Sequence, residues 1–488
     1  MEVRRTDVVL KPNNARVLFR PFEPTSPERC LKIIARVMSL SEEEVEQLLT
    51  QVLREFGDRH HKLQRFFLHR FEQVRHHLLT DEPLSLFRRL LIGSYFTQEY
   101  TLESAALFNP SMVWHPDQSN LPAGARRFVL SLRATGEGHL SSIVFRSGVI
   151  TAAGAIQLDD PGRYITPPDP VPHAQYEKAL FVRKLFELGI HGRFCDLVMA
   201  GLGESFTLAE LTEAVRRALR QERGTAQDHT PTAQAILALA KSNYEICYAP
   251  DQPLSERVIF PTGPTEVNGI EDARFVRFTH PDGRIVYYAT YTAYDGQVVL
   301  PQLLETEDFL HFKISTLNGP EVRNKGFALF PRLVNGQYAM LSRQDNENIY
   351  LMYSDHLHFW YTKELIAKPS QPWEYVQIGN CGSPIETDAG WLVLTHGVGP
   401  VRKYAIGAML LDRDNPTKVL GRLTEPLLSP TESERSGYVP NVVYSCGGVV
   451  HGDLLVIPYA MSDYASTFAT VPLADVLGAM RRTSEAGA

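Results

Sequence analysis

From about residue 95 onward the chain is cut into short aromatic and β-branched runs separated by Gly, Pro, Asn and Asp, a texture that leaves no room for long helices and reads as strands joined by tight turns. One pattern returns loosely: Tyr287–Tyr291 ahead of Asp295, Tyr350–Tyr353 ahead of Asp355, Ile406–Leu411 ahead of Asp412, and Leu455–Tyr459 ahead of Asp463. A recurrence of about 50–60 residues suits one four-stranded unit per repeat, with some loops enlarged. Pattern alone leaves a propeller and a large sandwich both open.

Two stretches have a different period. Between about Pro27 and Leu91 apolar residues recur at helical spacing, through Val45, Leu48, Leu49, Val52 and Leu53 and again through Phe66, Phe67, Phe71, Val74 and Leu78, and Ser41 with Glu44 forms a capping-box start. A second helical piece runs from about Ala174 to Lys241 and interrupts the strand-rich part. A chain of 488 residues exceeds the size at which one core stays compact. The expected organisation is therefore a helical region over 1–92 and a mainly β domain over 93–488 with an insertion at about 174–241. His60, His61, His69, His76 and His77 sit at spacings that fit a solvated or interface face, so no metal site is assigned.

A formal net charge of −7 argues against nucleic-acid or anionic-membrane partners, which require a basic footprint. The cysteines at 30, 195, 247, 381 and 446 are scattered without metal-ligand spacing and read as reduced thiols. Neither a secretory signal nor an apolar run of membrane-spanning length is present. The expectation is a cytoplasmic protein, with homo-oligomerisation through the N-terminal helices as one option.

The segment Asn268-Gly269-Ile270-Glu271-Asp272-Ala273-Arg274 places two carboxylates and a guanidinium just ahead of a strand-like run. Downstream stand Asn324-Lys325-Gly326-Phe327-Ala328-Leu329-Phe330-Pro331, Leu341-Ser342-Arg343, Gly382-Ser383-Pro384-Ile385-Glu386-Thr387 leading to Gly390-Trp391, and Thr395-His396-Gly397-Val398. In that order these motifs resemble glycoside hydrolase family 130, the β-mannoside phosphorylases and β-1,2-mannosidases, over roughly residues 90–475. The resemblance implies a five-bladed β-propeller with its active site in the central depression.

It also implies roles. Asp272 matches the general acid, which acts through a mannose hydroxyl, although Ala273 stands where relatives carry proline. Lys325 and Arg343 match two of three phosphate-binding cations, while the third place holds Glu386. A carboxylate repels a doubly charged anion, so this departure favours the hydrolytic branch, with Glu386 and Glu434 handling the water. An inverting pair of carboxylates stands about 6.5–9.5 Å apart. Sugar contacts are expected from Asn109, Arg133, Ser141, Glu271, His396, Tyr438, Asn441 and Asp463.

The sequence reading is thus an inverting exo-β-mannosidase acting on β-1,2-linked oligosaccharides, with no metal and no cofactor. The alternative is a β-mannoside phosphorylase, for which inorganic phosphate is the co-substrate. A third reading, of another class, is a non-catalytic sugar-binding propeller.

Overall fold

The computed structural model describes residues 1–482 apart from 223–227, 295, 297 and 298, so Asp295 of the recurring pattern lies outside the described residues, as do parts of the insertion and of the C-terminal end. The protein is mainly β. Among the described residues, five antiparallel sheets have four or more strands each. The first holds Ala106–Trp114, Arg126–Thr135, Ser141–Ile150 and Val258–Ile259, and the second Ile270–Thr279, Ile285–Tyr294, Val299–Thr306, His311–Thr316 and Tyr244–Cys247. The third holds Lys325–Leu329, Tyr338–Arg343, Ile349–Ser354 and Glu364–Ala367. Gln377–Asn380, Gly390–Val398, Tyr404–Leu411 and Val419–Arg422 make the fourth. Val443–Tyr444, Leu454–Met461 and Ala465–Pro472 make the fifth, together with Arg4–Leu10.

Neighbouring sheets touch through their leading strands. Ile270–Thr279 packs on both Ala106–Trp114 and Lys325–Leu329, Gln377–Asn380 packs on the third sheet, Val443–Tyr444 on the fourth, and Leu454–Met461 on the first. Hydrogen bonds sew the same borders: Ser111 Oγ accepts from the Phe275 amide at 3.0 Å, and the Cys446 amide donates to the Pro110 carbonyl at 2.8 Å. Because a sheet covered on both faces buries every residue, Gly390–Val398 is buried along its whole length. The core lies between the sheets, with Phe145, Phe275, Tyr291 and Phe312 in one layer and Phe330, Leu351, Trp391 and Met409 in another.

The helices Pro27–Met38, Glu42–Phe56, Leu63–Val74 and Leu86–Tyr95 form one group, and the capping box at Ser41 and Glu44 has both of its hydrogen bonds. Those of the insertion are Lys178–Glu187, Arg193–Ala200, Leu208–Gln221 and Thr230–Lys241. Among the described residues no helix is long and apolar enough to cross a membrane.

The expected helical region over 1–92 needs correction at its start. Arg4–Leu10 is a strand on Ala465–Pro472, and Val17–Pro21 pairs with Thr97–Thr101. The polar run Arg4-Arg5-Thr6-Asp7 hides this in the sequence, because an edge strand needs only part of one face covered, here through Val8 and Leu10.

A buried ion triad joins this N-terminal segment to the first sheet. Glu103 Oε1 accepts from Arg16 Nε at 2.9 Å and from Arg146 at 2.8 Å, and the Arg16 guanidinium also donates to the Gly162 and Ser255 carbonyls. Removing one partner of a buried charge set leaves the others uncompensated, which costs about 3–5 kcal/mol. Glu103→Gln is therefore expected to lower unfolding stability by about that amount, read as a fall in the urea midpoint, whereas an unchanged midpoint would mean the triad carries no net weight.

Candidate active site

All five sheets send polar side chains into one cavity of about 570 Å³. Asn109 and Arg133 come from the first sheet, Asp272 from the second, Lys325 and Arg343 from the third, and Tyr444 from the fifth. His396, Tyr404 and the loop residue Arg402 come from the fourth, and Asp463 from the turn between the last two strands of the fifth. Residues distant in sequence become neighbours because strands and turns of all five sheets border this cavity.

Local backbone irregularity aims these groups. The ladder slips between Phe108 and Ser111, between Glu271 and Arg274, and between Lys325 and Ala328. Bulges of this kind turn a side chain out of strict alternation. At two of them the turned residue is Asn109 (φ 49°) or Asp272 (φ 55°), and Asp463 also has positive φ, at 50°. Asn and Asp are the non-glycine residues that tolerate this left-handed region best. The result is a direct contact, in which Asn109 Nδ2 donates to Asp272 Oδ1 at 2.7 Å.

The charges around Asp272 decide its state. Burial pushes its carboxyl up, but Arg133, Arg274, Lys325 and the Asn109 hydrogen bond outweigh that, and it is held below the ordinary aspartate value. Arg133 lies 3.6 Å from it and is itself anchored by Glu271 at 2.8 Å and Ser141 Oγ at 3.0 Å. Asp463 moves the other way. Burial, then the nearby Asp272 charge, raises it to about 6. Two carboxyl groups pushed apart in this manner can hold different protonation states in one site.

The opposite wall is cationic. Lys325 and Arg343 face each other in the strand register, and Arg343 donates to His396 Nε2 at 3.0 Å. An acceptor at Nε2 implies a neutral ring, and burial followed by the Arg343 and Arg274 charges keeps His396 well below its ordinary value. Gly379 makes this packing possible, since a Cβ there would stand 2.4 Å from the His396 ring and 3.1 Å from Arg343 Cδ. Among the described residues Arg343 has no carboxylate within ion-pair distance, and its buried Nε has no hydrogen-bond partner. Lys325 has only the distant Glu271, at 3.8 Å.

Asn109, Arg133, Asp272, Lys325, Arg343, His396 and Asp463 of the expected set line the cavity. Glu271 and Ser141 stand behind it and hold Arg133. Tyr438 is 56% exposed and touches His139, and the side chain of Asn441 accepts from Arg435 instead of entering the cavity.

Two expected catalytic residues are elsewhere. Glu386 is clamped by Arg332 at 2.6 and 3.0 Å and by Arg413 at 3.0 Å. It lines a second hollow with Thr279, Pro331 and Arg332, which shares no lining residue with the Asp272 cavity. Glu434 is buried and fully used: it accepts from Arg5 at 3.2 Å, from Tyr459 at 2.6 Å and from the Thr431 amide at 2.8 Å. Neither carboxylate lines the cavity that holds Asp272. Sequence reasoning had missed Arg402, Tyr404 and Tyr444. Arg402 follows His396 by one short turn, which was its only signal, and the tyrosines are two among 20.

Comparison with known proteins completes the picture. The profile of glycoside hydrolase family 130, described as β-1,4-mannooligosaccharide phosphorylase, matches residues 231–482. A 1,2-β-oligomannan phosphorylase from Thermoanaerobacter sp. (strain X514) is 36% identical over 219 residues, 43% of this chain and 71% of the relative. A β-1,2-mannobiose phosphorylase from Listeria innocua serovar 6a is 30% identical over 227 residues, 45% of this chain and 62% of the relative. A solved Listeria innocua β-1,2-mannobiose phosphorylase, in complex with β-1,2-mannobiose, superposes with a TM-score of 0.47 at 22% identity, covering 78% of this chain and 93% of that one. With more than half of its length matched by the family profile, the chain belongs to glycoside hydrolase family 130.

Proposed function

We propose that the protein is an inverting phosphorylase of β-mannosides, releasing mannose 1-phosphate from β-1,2-linked oligomannosides, with its five sheets serving as the blades of a β-propeller. The observation that carries this reading is the cationic wall of the Asp272 cavity, in which Arg343 has no carboxylate within ion-pair distance among the described residues, Lys325 has only Glu271 at 3.8 Å, and Arg402 stands nearby. A guanidinium with an unmet buried donor matches the oxygens of a phosphate, and a desolvated dianion needs such a cluster. The hydrolytic alternative rested on Glu386 and Glu434, both of which are ion-paired away from the cavity. The similarity to the oligomannan phosphorylase supports the same choice and the β-1,2 linkage. No cofactor beyond phosphate as co-substrate is proposed.

In this mechanism a phosphate oxygen forms the new bond to the anomeric carbon as the glycosidic bond breaks, and a proton passes to the leaving oxygen. Asp272, held below the ordinary aspartate value, is ionised near neutrality. A phosphate dianion settling against Lys325 and Arg343 offsets part of the positive field that keeps it so, and its proton affinity rises. Arrival of the nucleophile thus lets Asp272 take up a proton from solvent, and as it passes that proton to a mannose hydroxyl the hydroxyl gives its own to the leaving oxygen. Asp463 and Asn109 fix the sugar from the other side.

Incubation with β-1,2-mannobiose should yield mannose 1-phosphate only when phosphate is supplied, and free mannose accumulating at the same rate without phosphate would reject the proposal. Asp272→Asn should lose about 10²–10⁴ in turnover, and Arg343→Ala on the order of 10² in kcat/KM for phosphate. Glu386→Gln should stay within about twofold of the parent, as expected for a change away from the reacting groups; a large loss there would restore the hydrolytic reading.

Asp463 gives a further expectation. Its folded value of about 6 lies above the unfolded one, so its protonated form is favoured on folding and that contribution is lost as pH rises through about 6. Asp463→Asn should therefore be more stable than the parent by about 1–2 kcal/mol at pH 7.5, after a discount for partial exposure, and by roughly half as much at pH 5, which lies between the unfolded and folded values. Urea midpoints at the two pH values check this, and a variant less stable at pH 7.5 would contradict it.

A further inference from the structure

A second cavity, remote from the cation wall, lies where the helical insertion meets the second sheet, with an empty volume of about 600 Å³. One wall is the helix Lys178–Glu187, another the outer strands Tyr244–Cys247 and His311–Thr316, and the third is His358, from the loop after Ile349–Ser354. Its most unusual group is Lys184, a lysine 2% exposed. Among the described residues the ammonium makes one hydrogen bond, to Asn243 Oδ1 at 2.7 Å, and has no carboxylate within ion-pair distance. Asn243 Oδ1 already accepts from the Thr316 amide at 3.1 Å, so it is a shared acceptor.

An ammonium has three donors, and a buried one without a counter-ion costs several kcal/mol. Here burial, then Lys313, lowers Lys184 to about 7, and burial followed by Lys184 and Lys313 takes His358 to about 3. Three basic groups are therefore close enough to repel one another around one hollow. Glu177 and Glu245 also line it; Glu245 and Glu305 stand opposite Lys313 on its two neighbouring strands, and none of the three acts appreciably on Lys184, which is the group left without a counter-charge. The rest of the lining is largely apolar, from Tyr176, Leu180, Phe181 and Ile314.

We propose that this cavity binds a small organic anion, with its carboxylate or phosphate group against Lys184 and Lys313 and its apolar body against Tyr176, Leu180 and Phe181. Such a ligand supplies the missing counter-charge and ties the insertion to the second sheet. The site is independent of the reading of the active site.

Titration calorimetry on the full chain tests the proposal with benzoate and phenyl phosphate as probes and benzyl alcohol as the uncharged control. At least one anion should bind, and which of the two does so identifies the head group. Its Kd should rise about 10–100-fold in Lys184→Met and severalfold in Lys313→Gln. Binding should persist in Arg343→Ala, which separates this cavity from the cation wall at Asp272. The exposed Lys313→Gln carries the test if Lys184→Met does not fold. Absence of binding by both anions, equal binding of benzyl alcohol, unchanged affinity in the lysine variants, or loss of binding in Arg343→Ala would each overturn the proposal.

Discussion

The guanidinium of Arg274 is the group on which the second, fourth and fifth sheets converge. It is 2% exposed and donates to the Cys381 carbonyl at 3.0 Å, the Tyr444 hydroxyl at 2.7 Å and the Asp272 carbonyl at 3.2 Å. A buried cation is tolerated only when its donors are met. Because these acceptors lie on or beside three sheets, displacing any one of them leaves the charge unsatisfied, and the three are held in one relative position. The contact to Asp272 uses its backbone oxygen, which pins the bulge and leaves the carboxyl free for Asn109. Fold and site share this residue, so the geometry of the reacting centre is set by the same bonds that fix the sheets.

Much of the architecture could be read directly from residue texture: short apolar runs between turn residues, helical periods at two places, and a capping box at Ser41 with its bonds formed. The cavity residues that could be found share one property, in that each sits in a local motif at the end of a strand facing the same way, as Asp272, Lys325 and His396 do. What failed was the assignment of ends. Period-two alternation tells which face a residue takes, and says nothing about whether a neighbouring strand brings a partner to it. Glu386 was placed by its sequence neighbours, yet its fate is decided by Arg332 and Arg413, which are 54 and 27 residues away. Nothing beside Glu434 in the sequence signals that Arg5, 429 residues distant, takes it. Charges on edges and loops are claimed by long-range partners that no local pattern reveals.

The two kinds of ionic group in this molecule differ in how completely they are satisfied. Glu434 meets donors on both of its oxygens and acts as a fastener, and Glu103 joins Arg16 and Arg146 through one oxygen. The cavity is arranged otherwise, with Arg343 lacking a carboxylate partner among the described residues, a carboxyl raised to about 6 and polar residues in left-handed backbone. Each of these is a local cost that a purely structural site would shed, and such departures gather where a ligand is to complete the interactions. The same reasoning separates Arg343 from Arg332, since both are arginines near strand ends and only one is left without its anion.

Sheet pairing between Arg4–Leu10 and Ala465–Pro472 has a temporal meaning as well as a spatial one. On a ribosome, the first of these strands emerges hundreds of residues before its partner exists, so the fifth sheet cannot be completed until residue 472 has been made. Tyr444 and Asp463 belong to that sheet. The pocket would therefore acquire its last wall only once residue 472 has been made, and until then a strand edge in the unfinished chain stays open to other nascent chains. Such late, non-local closure slows folding. Arg4 and Arg5 on the waiting strand place like charges on the edge that would otherwise invite aggregation.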